Sequence, residues 1–324
     1  MRSLPAREKL NICFGHVAYR MGERFALRDT GLKWFEVRTL EEVKARIAEV
    51  DVLLCSGLWR NELIPLAPRL AFIQSISAGT DQYSREALAA AGIRVASAQG
   101  ANERAVAEHA IALILALARK LPEARDNQSA GKWRGMIGEI ARREDELGGK
   151  TLVIVGLGRI GSRLAQLAKA FDMKVIGVRR DVTRGAGAAD RVVGEDRLLA
   201  VLPQADFVAL TCPLTPATEN LIDARALEAM KPSACLVNVA RGKVVNEPAL
   251  VDALGGNRIA GAALDCVWQE PLPAESALWR VPNVLITPHT AGETRRYEDN
   301  VIDLLLENLE RLWRGESALR NQFV

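Results

Sequence analysis

Three apolar runs in the second half of this chain each end in ionisable side chains: ACLVNVARG leads to Arg241, GAALDCVWQEP to Asp265 and then Glu270, and VLITPH to His289. A single arginine or glutamate after a strand is usually a solvated surface charge. Three such ends, one of them carrying one of only three histidines in 324 residues, point to a shared site. Their chemistry fits one reaction. An alcohol cannot surrender a hydride unless its hydroxyl proton is accepted, and histidine suits that role near neutrality. Glu270 nearby would stabilise the imidazolium, so that His289 acts as base in oxidation and acid in reduction. Arg241 offers a planar fork for a substrate carboxylate and can polarise the adjacent carbonyl. A 2-hydroxy or 2-oxo acid is the substrate class implied.

The hydride partner is legible in TLVIVGLGRIGSRLAQLAKAFDMKVIGVRR (151–180), which reads strand, G-x-G-x-x-G, helix, strand. Gly156 permits the tight turn, Gly158 lets the backbone approach a pyrophosphate, and Gly161 allows close helix-to-strand packing, with the helix N-terminus facing the phosphates. The end of the second strand selects the dinucleotide. An NAD site expects an acid there for the ribose hydroxyls, whereas a 2′-phosphate needs arginine. Arg179 and Arg180 stand at that point. Paired guanidiniums would clamp a phosphate through charge-assisted hydrogen bonds and offer nothing to a hydroxyl that needs an acceptor. NADP is therefore expected over NAD; the competing reading has both arginines solvated and Asp181 serving the ribose.

These residues need a scaffold that brings strand ends together. Short runs rich in Val, Ile and Leu alternate with amphipathic helical stretches, the pattern of parallel strands covered on both faces, so the class is α/β. Strands are expected at 10–15, 51–56, 71–77, 93–97, 151–156, 173–178, 206–211, 234–240, 259–265 and 283–288, with helices at 40–50 and 84–92. The run ERAVAEHAIALILALARKL (103–121) is apolar almost all round and stopped by Pro122, so it reads as a central or subunit-interface helix. A polar stretch follows at 125–135, and 293–314 reads as one amphipathic helix. Ligands of open α/β sheets bind beyond the carboxyl ends of strands, where Arg241, Asp265, Glu270 and His289 lie.

The chain exceeds what one core usually organises, so two domains are expected. With 49% hydrophobic and 26% charged residues it is globular, and its net charge of +3 comes with no Lys/Arg cluster that reads as a nucleic-acid footprint. Cys13, Cys55, Cys212, Cys235 and Cys266 lack metal-ligand spacing and sit in or beside apolar strand-like runs, so no metal site is expected and the thiols read as buried and reduced. The first strand begins too early for a secretory apolar region, and the longest apolar run, 110–118, is half a membrane span. A soluble, cytoplasmic protein is expected.

Taken together, GLGRIG, TCPLTPATENLI (211–222), NVARGKVVNEPALVDAL (238–254), AALDCVWQEPLP (262–273) and TPHTAGET (287–294) resemble the signatures of the D-isomer-specific 2-hydroxyacid dehydrogenases. SAGTD (77–81) and VAEHAIALILALAR (106–119) are similar to that family's N-terminal signatures, and the likeness runs to the closing NQFV. The resemblance implies that Arg241, Glu270 and His289 form the catalytic triad and that the substrate carboxylate rests on backbone amides around Ala78 and Gly79. It implies that Asp265 holds the nicotinamide carboxamide and that Arg159 and Ile160 lie against the pyrophosphate. Thr211, Cys212, Pro213, Val239, Ala240, His289 and Gly292 would also line the cofactor, Cys212 and Pro213 through backbone and shape. The implied architecture is two Rossmann-like or flavodoxin-like doubly wound parallel-sheet domains with an active-site cleft between them. Residues 1–102 plus 293–324 would bind substrate and 103–292 the dinucleotide, in a homodimer built partly on the apolar helix near 103–121.

Departures from the family pattern sharpen these expectations. Arg179 stands where many relatives carry Asp, which points to NADP and to the glyoxylate and hydroxypyruvate reductases. Formate dehydrogenases carry Gln at the position of Glu270 and phosphite dehydrogenases Lys at that of Ala78, so neither specialisation fits. The chain ends soon after its last motif, so no serine-feedback domain is expected. Two alternatives stay open: an NAD-dependent dehydrogenase of a phosphoglycerate- or lactate-like substrate, and a corepressor-like dinucleotide sensor, although such sensors carry disordered extensions. Among the remaining residues, His109 reads as a core or interface histidine. His16 and Trp59 follow strands and could line the cleft, Trp59 as a specificity wall, while Asp81 either caps the helix near Ser84 or touches ligand.

Overall fold

The computed structural model describes residues 2–324. The chain divides into two compact units, one made of residues up to Asn102 together with Glu293–Val324, the other of Glu103–Gly292. Each is a doubly wound α/β layer structure around one parallel sheet.

The first unit's sheet is built from β1 (Asn11–Gly15), β2 (Lys33–Val37), β3 (Val52–Cys55), β4 (Phe72–Ser75) and β5 (Arg94–Ala96), in the order β2-β1-β3-β4-β5. This is the strand order of flavodoxin-like folds. Alternate residues feed two cores: Ile12, Phe14, Val52 and Leu54 point to one face, Cys13, Leu53 and Cys55 to the other. The helix Tyr297–Trp313 covers the first face with Val301, Ile302, Leu305 and Leu309. Its buried Asn308 donates to Gln74 Oε1 at 2.9 Å, and the chain then closes on β5 through an antiparallel bridge between Ala96 and Gln322. Chain start and chain end thus share one core.

The second unit's sheet has seven parallel strands: β6 (Thr151–Val155), β7 (Lys174–Val178), β8 (Arg191–Val193), β9 (Phe207–Leu210), β10 (Cys235–Asn238), β11 (Gly261–Leu264) and β12 (Val284–Ile286). Their order, β12-β11-β10-β9-β6-β7-β8, is the dinucleotide-binding order with one strand added, and it reverses direction between β6 and β9. Both faces are covered, so β6 sends Leu152 and Ile154 to one core and Val153 and Val155 to the other.

Several elements differ from expectation. β2, KWFEV, is an edge strand whose Lys33 and Trp34 stay exposed, and β8 has three residues; neither carries the apolar run that marks the inner strands. The apolar helix spans Glu103–Ala118 and breaks at Lys120, whose φ is +49°. Pro122 then opens a further helix, Leu121–Ser129, in the first turn, where a missing N–H costs nothing, so it starts one helix as well as ending another. The C-terminal helix begins at Tyr297, four residues later than read, with Glu298 and Asp299 in its first turn. The Glu103–Ala118 helix buries Val106, Ala107, Ala110, Ile111 and Ile114 in its own unit's core, which makes it a central helix. Among the described residues no helix is long and apolar enough to cross a membrane.

Candidate active site

β10, β11 and β12 lie side by side in register, with Asn238, Leu264 and Ile286 in one row across the sheet. Asp265 follows that row by one residue, and Arg241 and His289 by three. Parallel pairing therefore delivers the three candidate groups of the sequence to one edge of the second unit.

His289 Nδ1 lies 2.6 Å from Glu270 Oε2. A carboxylate only accepts, so Nδ1 donates, and Nε2 is left to take up or release a proton at a ligand. Glu270 is itself anchored, because Val267 N–H donates to Oε1 at 3.1 Å. Burial pushes the Glu270 carboxyl up, but the hydrogen bond and charge of His289, the Val267 N–H and the charge of Arg241 outweigh it and hold the group below the usual carboxylate range. The imidazole and carboxylate remain partly open, at 43% and 37% side-chain exposure, which an acid–base pair needs if it is to meet substrate.

The loop carrying His289 is clamped by Asp265, which is 3% exposed. Its Oδ1 accepts from Thr287 Oγ1 at 2.6 Å and Thr290 N at 3.0 Å, and its Oδ2 from Ala291 N at 3.1 Å. Between those donors His289 has a φ of +56°, a left-handed conformation that costs a non-glycine residue on the order of 1–2 kcal/mol. The buried carboxylate supplies the compensation. Asp265, expected to hold a nicotinamide carboxamide, thus also organises its own chain.

Arg241 sits in a turn pinned by the buried Asn238, whose Nδ2 donates to Arg241 O at 3.0 Å and whose Oδ1 accepts from Ala240 N at 3.0 Å. The next residue must be glycine, since a Cβ on Gly242 would overlap the Val267 carbonyl. Absence of that Cβ lets the Arg241 turn pack on the loop that leads to Glu270, and Trp268 ties the same two segments by donating Nε1–H to Val245 O at 2.6 Å.

The glycine loop fits a dinucleotide at its own observed contacts. Gly156, at φ +101°, lies so near Cys212 that a Cβ would come within 2.5 Å of the Cys212 nitrogen, and a Cβ on Gly161 would strike Gly156 O. Thr211 Oγ1 fastens the loop by donating to Gly156 O at 2.7 Å. Gly158 is different: its φ is −88°, and a Cβ there would meet open space. Neither packing nor conformation requires glycine at 158, so the backbone there has room for close approach of a phosphate group, and Gly158 caps the Arg159–Ala170 helix, whose first N–H groups lack helical acceptors. Ile160 lies in that first turn with Arg159. Cys212 is buried and its thiol is pushed up to about 11 by that burial, while Val239 and Ala240 are buried beside the Arg241 turn. Pro213 O accepts from Thr218 Oγ1 at 2.7 Å. Gly292 closes the turn after Ala291.

Beyond β7, Arg179 Nη1 reaches Gly185 O at 3.4 Å and Arg180 is exposed. Asp181 turns to Thr183, accepting from its N at 3.1 Å and its Oγ1 at 2.6 Å, with Arg184 3.6 Å away.

In the first unit, Ala78 and Gly79 occupy a bend after β4 held by hydroxyls: Ser56 Oγ and Ser77 Oγ are 2.7 Å apart, and Ser77 Oγ donates to Gly79 O at 3.0 Å. Trp59 corrects an expectation. It is 1% exposed, packs with Tyr83 at 5.9 Å and donates Nε1–H to Asn61 at 3.1 Å, so it supports the loop from inside the core and presents no wall to a ligand. His16 stacks on Tyr19 at 4.1 Å and accepts the Ala18 and Tyr19 N–H groups, a turn-forming role. Asn238, Gly242, Thr287 and Trp268 were not singled out by residue type; each was visible only as a letter inside a motif.

Comparison with known proteins places the chain in a family. The NAD-binding domain model of the D-isomer specific 2-hydroxyacid dehydrogenases matches residues 111–291. The chain belongs to the D-isomer specific 2-hydroxyacid dehydrogenase family. It is 37% identical to a glyoxylate reductase of Pyrococcus furiosus over 87% of this chain and 86% of that one. It is 35% identical to a D-3-phosphoglycerate dehydrogenase of Methanocaldococcus jannaschii over 86% of this chain and 53% of that longer protein. Among solved structures, an NADPH-dependent glyoxylate/hydroxypyruvate reductase from Sinorhizobium meliloti, in complex with NADP and malonate, superposes with a TM-score of 0.82 at 27% identity, covering 98% of this chain and 97% of its own.

The depressed Glu270 carboxyl sets a pH sign. Its interaction with His289 is in place above the usual carboxylate range and is lost as pH falls through the lowered value, so Glu270 contributes no inflection near neutrality. Glu270→Gln should lower kcat on the order of 100-fold with little change in cofactor affinity, as steady-state kinetics and a binding titration would show; unchanged kcat would refute the pairing's role.

Proposed function

We propose that this dehydrogenase is an NADP-preferring reductase of a small 2-oxo acid, glyoxylate or hydroxypyruvate among the candidates, forming the D-2-hydroxy acid. The observation that carries the reading is the His289–Glu270 pair at the same sheet edge as the glycine loop and the Arg241 turn. A bound reduced dinucleotide supplies hydride to C2 of the oxo acid. His289 Nε2 gives its proton to the carbonyl oxygen while Nδ1 stays on Glu270, and Arg241 binds the carboxylate and polarises the carbonyl. Within the first unit, the Ala78–Gly79 bend, held by the Ser56 and Ser77 hydroxyls, presents backbone N–H groups of the kind that receive a carboxylate.

The preference for NADP rests on the end of β7. Arg179 and Arg180 supply cationic forks for a 2′-phosphate, Arg184 adds a third guanidinium on the same turn, and the Asp181 carboxylate is occupied by Thr183. Gly156, Gly158, Arg159, Ile160, Gly161, Thr211, Cys212, Pro213, Val239, Ala240, Asp265 and Gly292 form the rest of the proposed cofactor surface. Turnover of a panel of 2-oxo acids, followed by NADPH and NADH absorbance, should give at least about a tenfold higher kcat/KM with NADPH, or roughly 1.4 kcal/mol. Arg179→Asp should reverse the preference. An NADH preference in the wild type overturns the assignment, and cofactor binding without turnover of any acid would favour a sensor.

We also infer a homodimer, supported by apolar side chains beyond the central helix: Trp133 is 99% exposed, Met136 98% and Ile140 78%. Such a patch on one segment is better covered by a second copy of the chain than by water. Light scattering should report a dimer, and a combined Trp133→Ser and Met136→Ser variant should shift it toward monomer; a monomeric wild type contradicts the inference.

A further inference from the structure

We infer that His109 is a positioning residue for His289, acting through Thr287 and Asp265. The inference deepens the function proposed above and rests on His289 being the acid–base group. His109 lies mid-way along the Glu103–Ala118 helix, on a surface flanked by Val106, Ala110 and Leu113, all buried in the second unit's core. Its Nε2 is 3.0 Å from Thr287 Oγ1 and 3.5 Å from Asp265 Oδ1. Thr287 has one hydroxyl hydrogen, and the 2.6 Å contact to the Asp265 carboxylate uses it, because a carboxylate can only accept. Thr287 Oγ1 must therefore accept from His109, which fixes a hydrogen on Nε2.

The consequence is a directed network ending on one carboxylate: His109 Nε2–H donates to Thr287 Oγ1, Thr287 O–H donates to Asp265, and the Thr290 and Ala291 N–H groups donate to the same Asp265 carboxylate. His289 lies between Thr287 and Thr290 at φ +56°, and its own N–H bonds to Thr287 O at 2.9 Å. A hydroxyl deprived of its donor neighbour is free to turn from the carboxylate, and the loop then loses one of the contacts that keep His289 in its left-handed conformation. Small misplacements of an acid–base group are costly to turnover, whereas binding of a dinucleotide on the glycine loop does not depend on them. His109 thus anchors the loop from a rigid helix without itself touching substrate.

The three histidines, His16, His109 and His289, allow a direct test by imidazole nitrogen NMR on protein labelled at histidine. In the wild type His109 should carry hydrogen on Nε2 throughout the pH range in which the protein is folded. His109→Leu should shift the His289 resonances while leaving those of His16 in place, and should lower kcat about tenfold with NADPH affinity and melting temperature close to wild type. His109→Gln, which keeps an N–H donor of similar reach, should restore most of the activity, and Thr287→Val combined with His109→Leu should be no worse than either alone. An Nδ1–H tautomer at His109, or unmoved His289 resonances with wild-type kcat in His109→Leu, overturns the inference. Should His109→Leu not fold, His109→Gln and Thr287→Val carry the same comparison. A wild type that reduces no 2-oxo acid would defeat the proposed function, and the resonances alone would still decide the relay.

Discussion

A carboxylate buried at the end of a strand has to be satisfied, and in this protein the loop that satisfies Asp265 is the loop that carries His289. Two backbone N–H groups and one hydroxyl converge on a side chain that is 3% exposed. Leaving such a group unpaired would cost several times the worth of an ordinary hydrogen bond. That penalty is what keeps the segment after β12 in one conformation, with a histidine in a backbone region it would otherwise avoid. Glu270 then meets an imidazole whose position is already set.

Elsewhere along the same sheet edge a different constraint holds, the close approach of backbone to backbone. Gly156 against Cys212, Gly161 against Gly156 O, and Gly242 against Val267 are places where a single Cβ would push elements apart. The first two lie at the point where the strand order reverses, between β6 and β9, and the third joins the Arg241 turn to the Glu270 loop. Steric necessity there and electrostatic necessity at Asp265 together define the geometry on which the proposed hydride and proton transfers rely. Gly158 stands apart, since nothing within the chain asks for it.

The α/β class and the inner strands were legible because parallel strands buried on both faces are written as continuous Val, Ile and Leu, while Lys33–Val37 and Arg191–Val193 lie near edges and lack that signal. The strand-end rule located Arg241, Asp265, Glu270 and His289, since parallel registry carries over directly from the order of runs. It had less to offer at Trp59, because exposure after a strand depends on how the following loop folds back, and this one buries the ring beneath Tyr83. His109 was harder still. Its sequence neighbours are apolar and describe a core helix correctly, but its partner Thr287 is 178 residues away, and only tertiary structure brings them together.

If the Glu270-bound imidazole is the group that moves the proton, replacing it should abolish chemistry without disturbing the phosphate end of the cofactor site. The decisive measurement is the turnover of a 2-oxo acid by His289→Asn alongside its affinity for NADPH. A fall in kcat of at least about 1,000-fold with affinity close to wild type is the result this account requires. Turnover near the wild-type rate would contradict it.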